Sequence, residues 1–381
     1  MLLGVNLMLL IGPVLPIPAT PDIAEAIQSV SVTQADEGRS GFQIVLQVGR
    51  AGLTDLIDYR LLLNPLLRPF NRVILLVLFN AMPKVLMDGI ITNQQFSPGN
   101  QPGTATLTLT GEDVSVMMDL HKKRTDHTAL SLAMIALKII GSYAQYGLVP
   151  MIDPSKALEQ PLPIERTPVQ AGTDLEHLNA MGKLIGYVFH ISSGPAPGVN
   201  MAYWGPPKRL GIPQRALTVG QGAESNVETV NFTYNGLAAT RVEDAVQDRL
   251  TNINLPVMTL ASTRLPPLAV MQPILLPTPN TRSSFLETGG GLNIIQAMGE
   301  AQGQTDKSVD SVVMAQGELD ALRYGDVLKP RALVGLRGAG FTHDGFYYVK
   351  SVSHAISRGQ YRQRFSLSRE GTGALSPAVI P

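Results

Sequence analysis

The sequence contains no cysteine, and this absence limits the chemistry open to the protein. A chain of 381 residues without a thiol has no disulfide, no thiolate metal ligand and no cysteine nucleophile. Such a composition suits a protein that is assembled in a reducing compartment and must later survive outside it. We therefore predict assembly in a reducing cytoplasm.

Charged residues are also scarce, at 16% of the chain, where an average soluble protein has roughly 25%. The 30 basic residues balance the 30 acidic ones, so the overall electrostatic footprint of a nucleic-acid-binding protein is missing and we predict no specific nucleic-acid partner. Low charge together with 36 glycines and 28 prolines predicts many turns and large surfaces buried against other subunits. A loop-rich all-β enzyme is the alternative that this composition leaves open.

The first sixteen residues are apolar but lack the features of a signal peptide. No Lys or Arg precedes Arg39, and there is no clear small-residue cleavage site. Gly4, Gly12 and Pro13 interrupt the apolar run, which is too short to span a bilayer. We predict an apolar arm over residues 1–20 that packs on this chain or on a neighbour, with no stable membrane insertion.

Alternation of apolar and polar residues predicts two antiparallel β units. In the first unit, Arg72–Phe79 is a continuous apolar run typical of a strand covered on both faces, and Met87–Gly89 predicts a turn or a bulge. In the second unit, Tyr361–Leu367 alternates as a half-buried strand does. Asp344-Gly345 predicts a tight hairpin turn before a long strand, because glycine supplies the positive φ that such a turn needs.

Helical periodicity predicts a small α/β unit between them. One helix begins after a cap at Thr125 or Asp126, and a second begins at Thr173 or Asp174 and leads into a strand that is partnered by Met201–Trp204. The first helix is expected to carry its apolar residues on one face, namely Leu130, Met134, Leu137 and Ile140.

The predicted fold is mainly β with an α/β insert, two tube-like antiparallel β-barrel domains flanking the small α/β domain. Two β units of similar size indicate a weak internal duplication, which the sequence alone does not establish. The predicted domains are an arm at 1–20, a first barrel at 21–120, the α/β domain at 121–225, a second barrel at 226–371 with an insertion at about 241–307, and a tail at 372–381.

The sequence shows no local signature of catalysis. Six histidines occur without a metal-binding spacing, and no GxSxG motif is present. The glycine cluster around Gly338 lacks the Lys-Ser/Thr of a phosphate loop. We predict no catalytic residue, no cofactor and no metal site.

A run of basic residues near the end of the chain is the sharpest charge feature. This run has two interpretations: it is either a strand face exposed to solvent or a patch that faces a channel or an acidic partner. The candidate residues are Lys350, Arg358, Arg362 and Arg364.

Three segments together resemble one family of assembly proteins. The segments are SLAMIALKIIGSYAQYGL, then TDLEHLNAMGKLIGYVFHI, and finally GDVLKP with GAGFTHDGFYYVKSVSHAISRGQYRQRFSLSR. Their order and spacing are similar to those of the phage late-control D family, the central hub of contractile-tail baseplates. They also resemble the N-terminal hub part of the valine-glycine repeat spike proteins of type VI secretion. The resemblance covers residues 21–371.

The resemblance implies a structural protein. Such hubs are homotrimers whose chains each supply two tube-like barrels, so that a pseudo-sixfold ring matches the hexameric inner tube on one side and holds a trimeric spike on the other. The expected function is thus a non-enzymatic baseplate hub, assembled in the bacterial cytoplasm as part of a phage tail or contractile injection particle. Expected partners are other copies of the chain, the inner tube protein, other baseplate proteins and a separate spike protein, which the tail at 372–381 would contact.

Within such a ring, the resemblance leaves two places for the arginine-bearing face, the channel lumen or the subunit interface. The competing function is a cell-wall peptidoglycan hydrolase with an unrecognised active site. A tail adhesin for host glycans is a third class, but one Trp and 6% aromatic residues do not favour it. The sequence leaves open whether the particle is a phage, a bacteriocin-like tail or an injection machine.

Overall fold

The computed structural model describes residues 6–49, 59–79, 82–101, 103–155, 157, 168–247, 252–287 and 294–375. Its fold is mainly antiparallel β with a small α/β unit between two β units, as the sequence predicts. None of the described helices is both long and apolar enough to cross a lipid bilayer.

The first β unit is built from seven strands and two short helices. In chain order they are β1 (Asn6–Gly12), β2 (Ile17–Pro18), α1 (Pro21–Ala26), β3 (Ile27–Ala35), β4 (Gly41–Val48), α2 (Arg60–Leu63), β5 (Arg72–Phe79), β6 (Met82–Ser97) and β7 (Ala105–Asp113).

The α/β unit follows, with two helices beside short strands. Its elements are β8 (Lys123–Asp126), α3 (Leu132–Gly141), β9 (Leu148–Ile152), β10 (Val169–Gly172), α4 (Asp174–Ile185), β11 (Val188–Ser193) and β12 (Asn200–Gly205).

The second β unit contains the insertion and the last strands. Its elements are β13 (Gln214–Thr218), β14 (Val227–Tyr234), β15 (Thr240–Gln247), β16 (Asn254–Met258), β17 (Ala269–Met271), β18 (Arg282–Ser284), α5 (Ile294–Asp310), β19 (Val313–Asp320), α6 (Ala321–Tyr324), β20 (Leu333–Arg337), β21 (Gly345–Ser357), β22 (Gln360–Arg369) and β23 (Thr372–Ala374).

Both β units belong to a single sheet of 13 strands, in which each unit repeats the same strand order. The first unit runs β1-β5-β6-β7-β4-β3, and the second runs β13-β20-β21-β22-β19-β14. When the six strands of each unit are numbered 1 to 6 in chain order, their spatial order in the sheet is 1-4-5-6-3-2 in both units. The one difference in direction is that β13 lies parallel to β20 whereas β1 lies antiparallel to β5. The indication of an internal duplication thus holds at the level of topology.

The N-terminal arm lies on its own chain. β1 pairs along its whole length with β5, from Asn6 opposite Leu78 to Gly12 opposite Arg72. Leu9 and Ile11 of this strand are buried in the core of the first unit. The described part of the apolar run therefore serves as a strand near one end of the sheet, where burial of alternate side chains stabilises it.

The bulge predicted around Met87 is present one residue earlier. β6 is continuous, but its pairing with β5 shifts between Leu75 opposite Met87 and Leu76 opposite Val85. Leu86 is therefore the extra residue that bends the strand.

The tight turn predicted at Asp344-Gly345 is wrong. Residues 338–344 form a longer loop between β20 and β21, and Gly345 is already the first residue of β21 with a φ of +119°. The Asp344 carboxylate accepts a hydrogen bond from the Ala339 backbone N–H at 2.8 Å. This side chain closes the loop internally, which a sequence search for two-residue turns does not detect.

The cap predicted for the first helix of the α/β unit is also wrong, and of the apolar residues predicted to share one face, Ile140 is buried whereas Met134 and Leu137 are not. Thr125 belongs to β8, and α3 is capped instead by Ser131, whose hydroxyl accepts from the Met134 N–H at 3.3 Å. Met134 is 48% exposed and Leu137 is 51% exposed, while the other side of the helix is buried. Because α3 is apolar on nearly every side, its spacing did not define one core face.

The second helix agrees with the sequence. Thr173 caps α4, its hydroxyl accepting from the Glu176 N–H while the Glu176 carboxylate accepts from the Thr173 N–H. Gly186 ends the helix in the left-handed conformation with a φ of +71°. Both signals are local, so the sequence was sufficient to place them.

Candidate functional site

One face of the large sheet carries small neutral polar side chains. Side chains alternate between the two faces of a strand, so Val30 and Val32 of β3 are buried while Ser31 and Thr33 point away from the core. Cross-strand registers extend this polar face over β3, β4, β7, β6, β21 and β22. Its further members are Ser29, Gln43, Gln47, Asn93, Gln95, Thr106, Thr108, Thr110, Ser353, Ser357 and Ser366.

The two β units meet on this face at an antiparallel seam between β3 and β21. Seven residue pairs oppose each other there, from Ser351 opposite Ala35 to Ser357 opposite Ser29. In the middle of the seam the hydroxyl oxygens of Thr33 and Ser353 are 3.0 Å apart. The seam converts two separate units into one continuous surface.

Arg362 and Arg364 lie on the polar face and form its charged cluster. Arg362 Nη1 is 2.6 Å from one oxygen of Glu318, and Arg364 Nε is 2.8 Å from the other. Arg362 also lies 3.4 Å from Glu228 on β14. Hydrogen bonds from Arg364 and Arg362 lower the pKa of Glu318. The two arginines therefore already have acidic partners within their own chain.

The other two basic candidates lie elsewhere. Arg358 is in the turn between β21 and β22, where its Nη2 donates to the Glu25 carbonyl oxygen at 3.0 Å. Lys350 lines a cavity that is open to solvent, together with Asp36 and Arg331. The structure thus brings Arg362 and Arg364 together and places Arg358 and Lys350 apart from them.

This open cavity lies where the two β units, the α/β unit and α5 meet. It has a volume of about 290 Å³ and a lining of both charge signs. Arg264 pairs with Asp310 at 3.2 Å, and Lys307 pairs with Glu37 at 2.8 Å. Burial raises the pKa of Asp36. These pairs join separate parts of the fold, and the cavity marks their junction.

The structure also brings together two histidines that sequence spacing did not connect. The rings of His127 and His177 stack with centroids 5.7 Å apart, and His127 Nε2 is 3.3 Å from Gln170 Oε1. Burial and the neighbouring His127 lower the pKa of His177. Within the described ranges, no group of three or more His, Asp or Glu side chains is placed to hold a metal ion. The pair belongs to the core contacts of the α/β unit.

The sheet has several open strand edges in the described part of the chain, since β2 and β13 also end it, and two of these edges are those of β14 and of the C-terminal part of β6. β14 is the last strand of the sheet and pairs with β19 on one side. The C-terminal part of β6, Asn93–Ser97, pairs with β7 on one side, because β5 covers β6 only up to Ile90. Open edges present backbone N–H and C=O groups that another strand can pair with.

A buried ion pair ties the first β unit to the α/β unit. Arg72 contacts Asp88 through two hydrogen bonds of 2.7 Å, and both side chains are almost fully buried. Arg72 also donates to the carbonyl oxygens of Tyr146 and Gly198, and Asn200 donates to Asp88 at 2.9 Å. This guanidinium thus directly links the sheet to the α/β unit.

No protein-family model and no curated protein sequence matches this chain. Among solved structures, a tail protein from Neisseria meningitidis matches with a TM-score of 0.63 and 13% identity, covering 97% of this chain and 98% of that one. A prophage tail protein from Shewanella oneidensis matches with a TM-score of 0.62 and 12% identity, covering 96% and 98%.

A third match is a component of the type VI secretion system of Escherichia coli. Its TM-score is 0.57 at 12% identity, and the match covers 93% of this chain and 77% of that one. That protein is itself described as structurally similar to bacteriophage tail proteins. At these identities the comparisons establish the fold, and the expected resemblance to tail and secretion hub proteins is confirmed at that level.

Proposed function

We propose that this chain is a non-enzymatic baseplate hub of a phage tail or contractile injection system. Three copies would form a ring that adapts a hexameric inner tube to a trimeric spike. The observation that carries the proposal is the pair of six-stranded units with one strand order, joined edge to edge within one chain.

Duplication is what allows one ring to match two symmetries. A trimer of a duplicated chain presents six similar units to a hexameric tube, while its true symmetry remains threefold for a spike. Each chain offers one open edge at β14 and another at β6, which are different surfaces. Contacts between unlike surfaces generate closed rings when the rotation between copies closes.

The polar face is proposed to line the channel of this ring. Its Ser, Thr, Asn and Gln side chains carry no net charge, so they would bind neither acidic nor basic cargo strongly. Arg362 and Arg364, held by Glu318, would form a charged band of the lumen or meet an acidic neighbour. The partners that follow are the inner tube protein, other baseplate proteins and a separate spike protein, all within the tail or injection particle.

Native mass spectrometry of the purified full chain, alone and with the inner tube protein, tests this proposal. The expected species is three chains of 40.9 kDa each, and the complex with tube protein should contain three hub chains for six tube chains. A stable dimer, tetramer or monomer in both samples would contradict it.

An activity assay separates the hub from a hydrolase. Incubation with purified peptidoglycan should release no soluble fragments above the level of a heat-denatured sample. Release that disappears when a specific acidic or histidine residue is replaced would favour the enzyme instead.

A further inference from the structure

We infer that copies of this chain join by strand pairing, with the open edge of β14 in one copy antiparallel to Asn93–Ser97 of β6 in the next. The inference rests on the proposed ring of copies and adds which surfaces meet and in which register. Its template is the seam between β3 and β21 inside each chain.

The template applies because β14 corresponds to β3 and β6 corresponds to β21 in the shared strand order. Each pair of corresponding strands also has a bulge. β3 has its extra residue at Gln28 and β14 has it at Glu228. On the other pair, the extra residues are Thr92 in β6 and Lys350 in β21. The bulges align the strands residue by residue.

A backbone feature beside the second pair of bulges supports the same alignment. Phe70 and Arg331 both have positive φ, 70° and 62°, although neither is glycine. The Phe70 N–H donates to the Ile91 carbonyl oxygen at 2.7 Å, and the Arg331 N–H donates to that of Val349 at 2.8 Å. Ile91 and Val349 are each the residue immediately before the bulge. Such a conformation is uncommon outside glycine, so its recurrence is a specific landmark.

The alignment gives the register between copies. Within the chain, Gln34, Thr33 and Val32 oppose Val352, Ser353 and His354. Their counterparts between copies are Gln94 opposite Tyr234, Gln95 opposite Thr233, and Phe96 opposite Phe232. The central pair, Gln95 and Thr233, repeats the polar contact that Thr33 and Ser353 make on the same face.

The side chains on the two edges favour this contact. Tyr234 is 59% exposed in the single chain. The Gln94 side-chain Nε2 is buried without a hydrogen-bond partner. Burying an amide donor without a partner is costly, and pairing with the neighbouring copy brings the Tyr234 ring and hydroxyl to this position. Apart from the bulged Glu228, β14 carries no charged side chain that would oppose pairing.

The backbone of β14 also faces outward at the required positions. The Asn235 N–H donates to Val312 on the β19 side at 2.8 Å. In an antiparallel ladder the neighbouring residue then directs its N–H and C=O to the opposite side. Tyr234 therefore presents its backbone groups at the open edge, as Gln34 does in the internal seam.

Engineered cysteines test the register directly, because the chain has no cysteine of its own. The double variant Gln95→Cys/Thr233→Cys places thiols at a facing pair on the polar face, within reach of a disulfide. The matched control Gln95→Cys/Thr229→Cys moves one thiol four residues along the same face. Full-length protein is oxidised mildly and separated on a non-reducing denaturing gel.

The expected result is a ladder of linked dimers and trimers at least tenfold more abundant for the in-register pair than for the control. A trimer by native mass spectrometry without this linkage would overturn the pairing while leaving the proposed hub intact. A protein that is monomeric at every concentration and with tube protein would overturn both.

A proline variant gives a second, independent measurement. Tyr234→Pro removes an N–H that points to the open edge, leaving the bonds between β14 and β19 in place. The variant is expected to keep the circular dichroism spectrum of the wild type and to weaken trimer formation at least tenfold, whereas Tyr234→Phe, which keeps the backbone N–H and loses only the hydroxyl, should weaken it much less. Unchanged assembly of a folded Tyr234→Pro protein would contradict the inference.

Discussion

Thr33 and Ser353 are 320 residues apart in the sequence, yet their hydroxyl oxygens lie 3.0 Å apart. They sit in the middle of the seam between β3 and β21, which joins the first and second β units. The first and second β units are therefore joined at this seam into one continuous sheet.

A disulfide at this seam is expected to stabilise the fold. The variant Thr33→Cys/Ser353→Cys should oxidise within a single chain and raise the free energy of unfolding by about 2–5 kcal/mol, because it closes a very long loop in the unfolded state. Denaturant titration of the oxidised and reduced forms measures the difference. An oxidised form that unfolds earlier than the reduced form would show that the seam geometry is wrong.

The buried pair of Arg72 and Asp88 is expected to be intolerant of single changes. Arg72→Met leaves a buried carboxylate without its counter-ion and should cost about 3–5 kcal/mol of stability. The double variant Arg72→Met/Asp88→Leu removes both charges and should cost less than either single variant. The denaturant midpoints of Arg72→Met, Asp88→Leu and the double variant measure these losses. If the loss in the double variant equals the sum of the two single losses, the two side chains do not interact as a pair.

Reversing the charge of the polar-face cluster is expected to impair assembly without unfolding the chain. In Arg362→Glu/Arg364→Glu the new carboxylates face Glu318 and Glu228. Because the side chains of both arginines are largely exposed to solvent, the fold should lose little stability. Attachment of the tube or spike protein, measured by co-sedimentation, should fall sharply. Arg358→Glu, in the neighbouring turn, is the control and should leave attachment unchanged. If the double variant forms normal particles, these arginines are not part of the assembly surface.

His354 is expected to make the fold sensitive to acid. Burial lowers its pKa from 6.5 to about 3, and its Nδ1 lies 3.0 Å from the Tyr361 hydroxyl. Below pH 6.5 the unfolded chain binds a proton that the folded chain excludes, so stability is full above pH 6.5 and falls as the pH drops towards 3.

The variant His354→Gln isolates this effect. Between pH 7 and pH 4.5 its free energy of unfolding should fall by about 3 kcal/mol less than that of the wild type, since one pKa unit corresponds to about 1.4 kcal/mol. His121→Gln, which changes an exposed histidine, should retain the wild-type pH dependence. Parallel curves for His354→Gln and the wild type would contradict the assignment.

Local chemistry decided which parts of the fold were predictable from the sequence. The alternation of Tyr361, Gln363 and Phe365 with polar neighbours gave β22, and the Thr173 cap gave the start of α4. Where a segment is apolar on every side, as in α3, the pattern did not identify the buried face, so Met134 was misplaced. The loop closed by Asp344 depends on a side-chain contact that composition does not reveal.

Long-range pairing accounts for what the sequence did not provide. The shared strand order of the two units, the contact between Thr33 and Ser353, and the stack of His127 on His177 all join distant segments. Arg362 and Arg364 were found from the sequence as a charged strand face, but their partner Glu318 lies on another strand. Only the three-dimensional register brings them together.

The position and copy number of the chain in an intact particle test the central claim most directly. Cryo-microscopy of tail or injection particles that contain this chain should show three copies on the central axis, six β units in a ring, and β14 paired with β6 of the neighbouring copy. A chain located away from the axis, or present in a number other than three, would contradict the account.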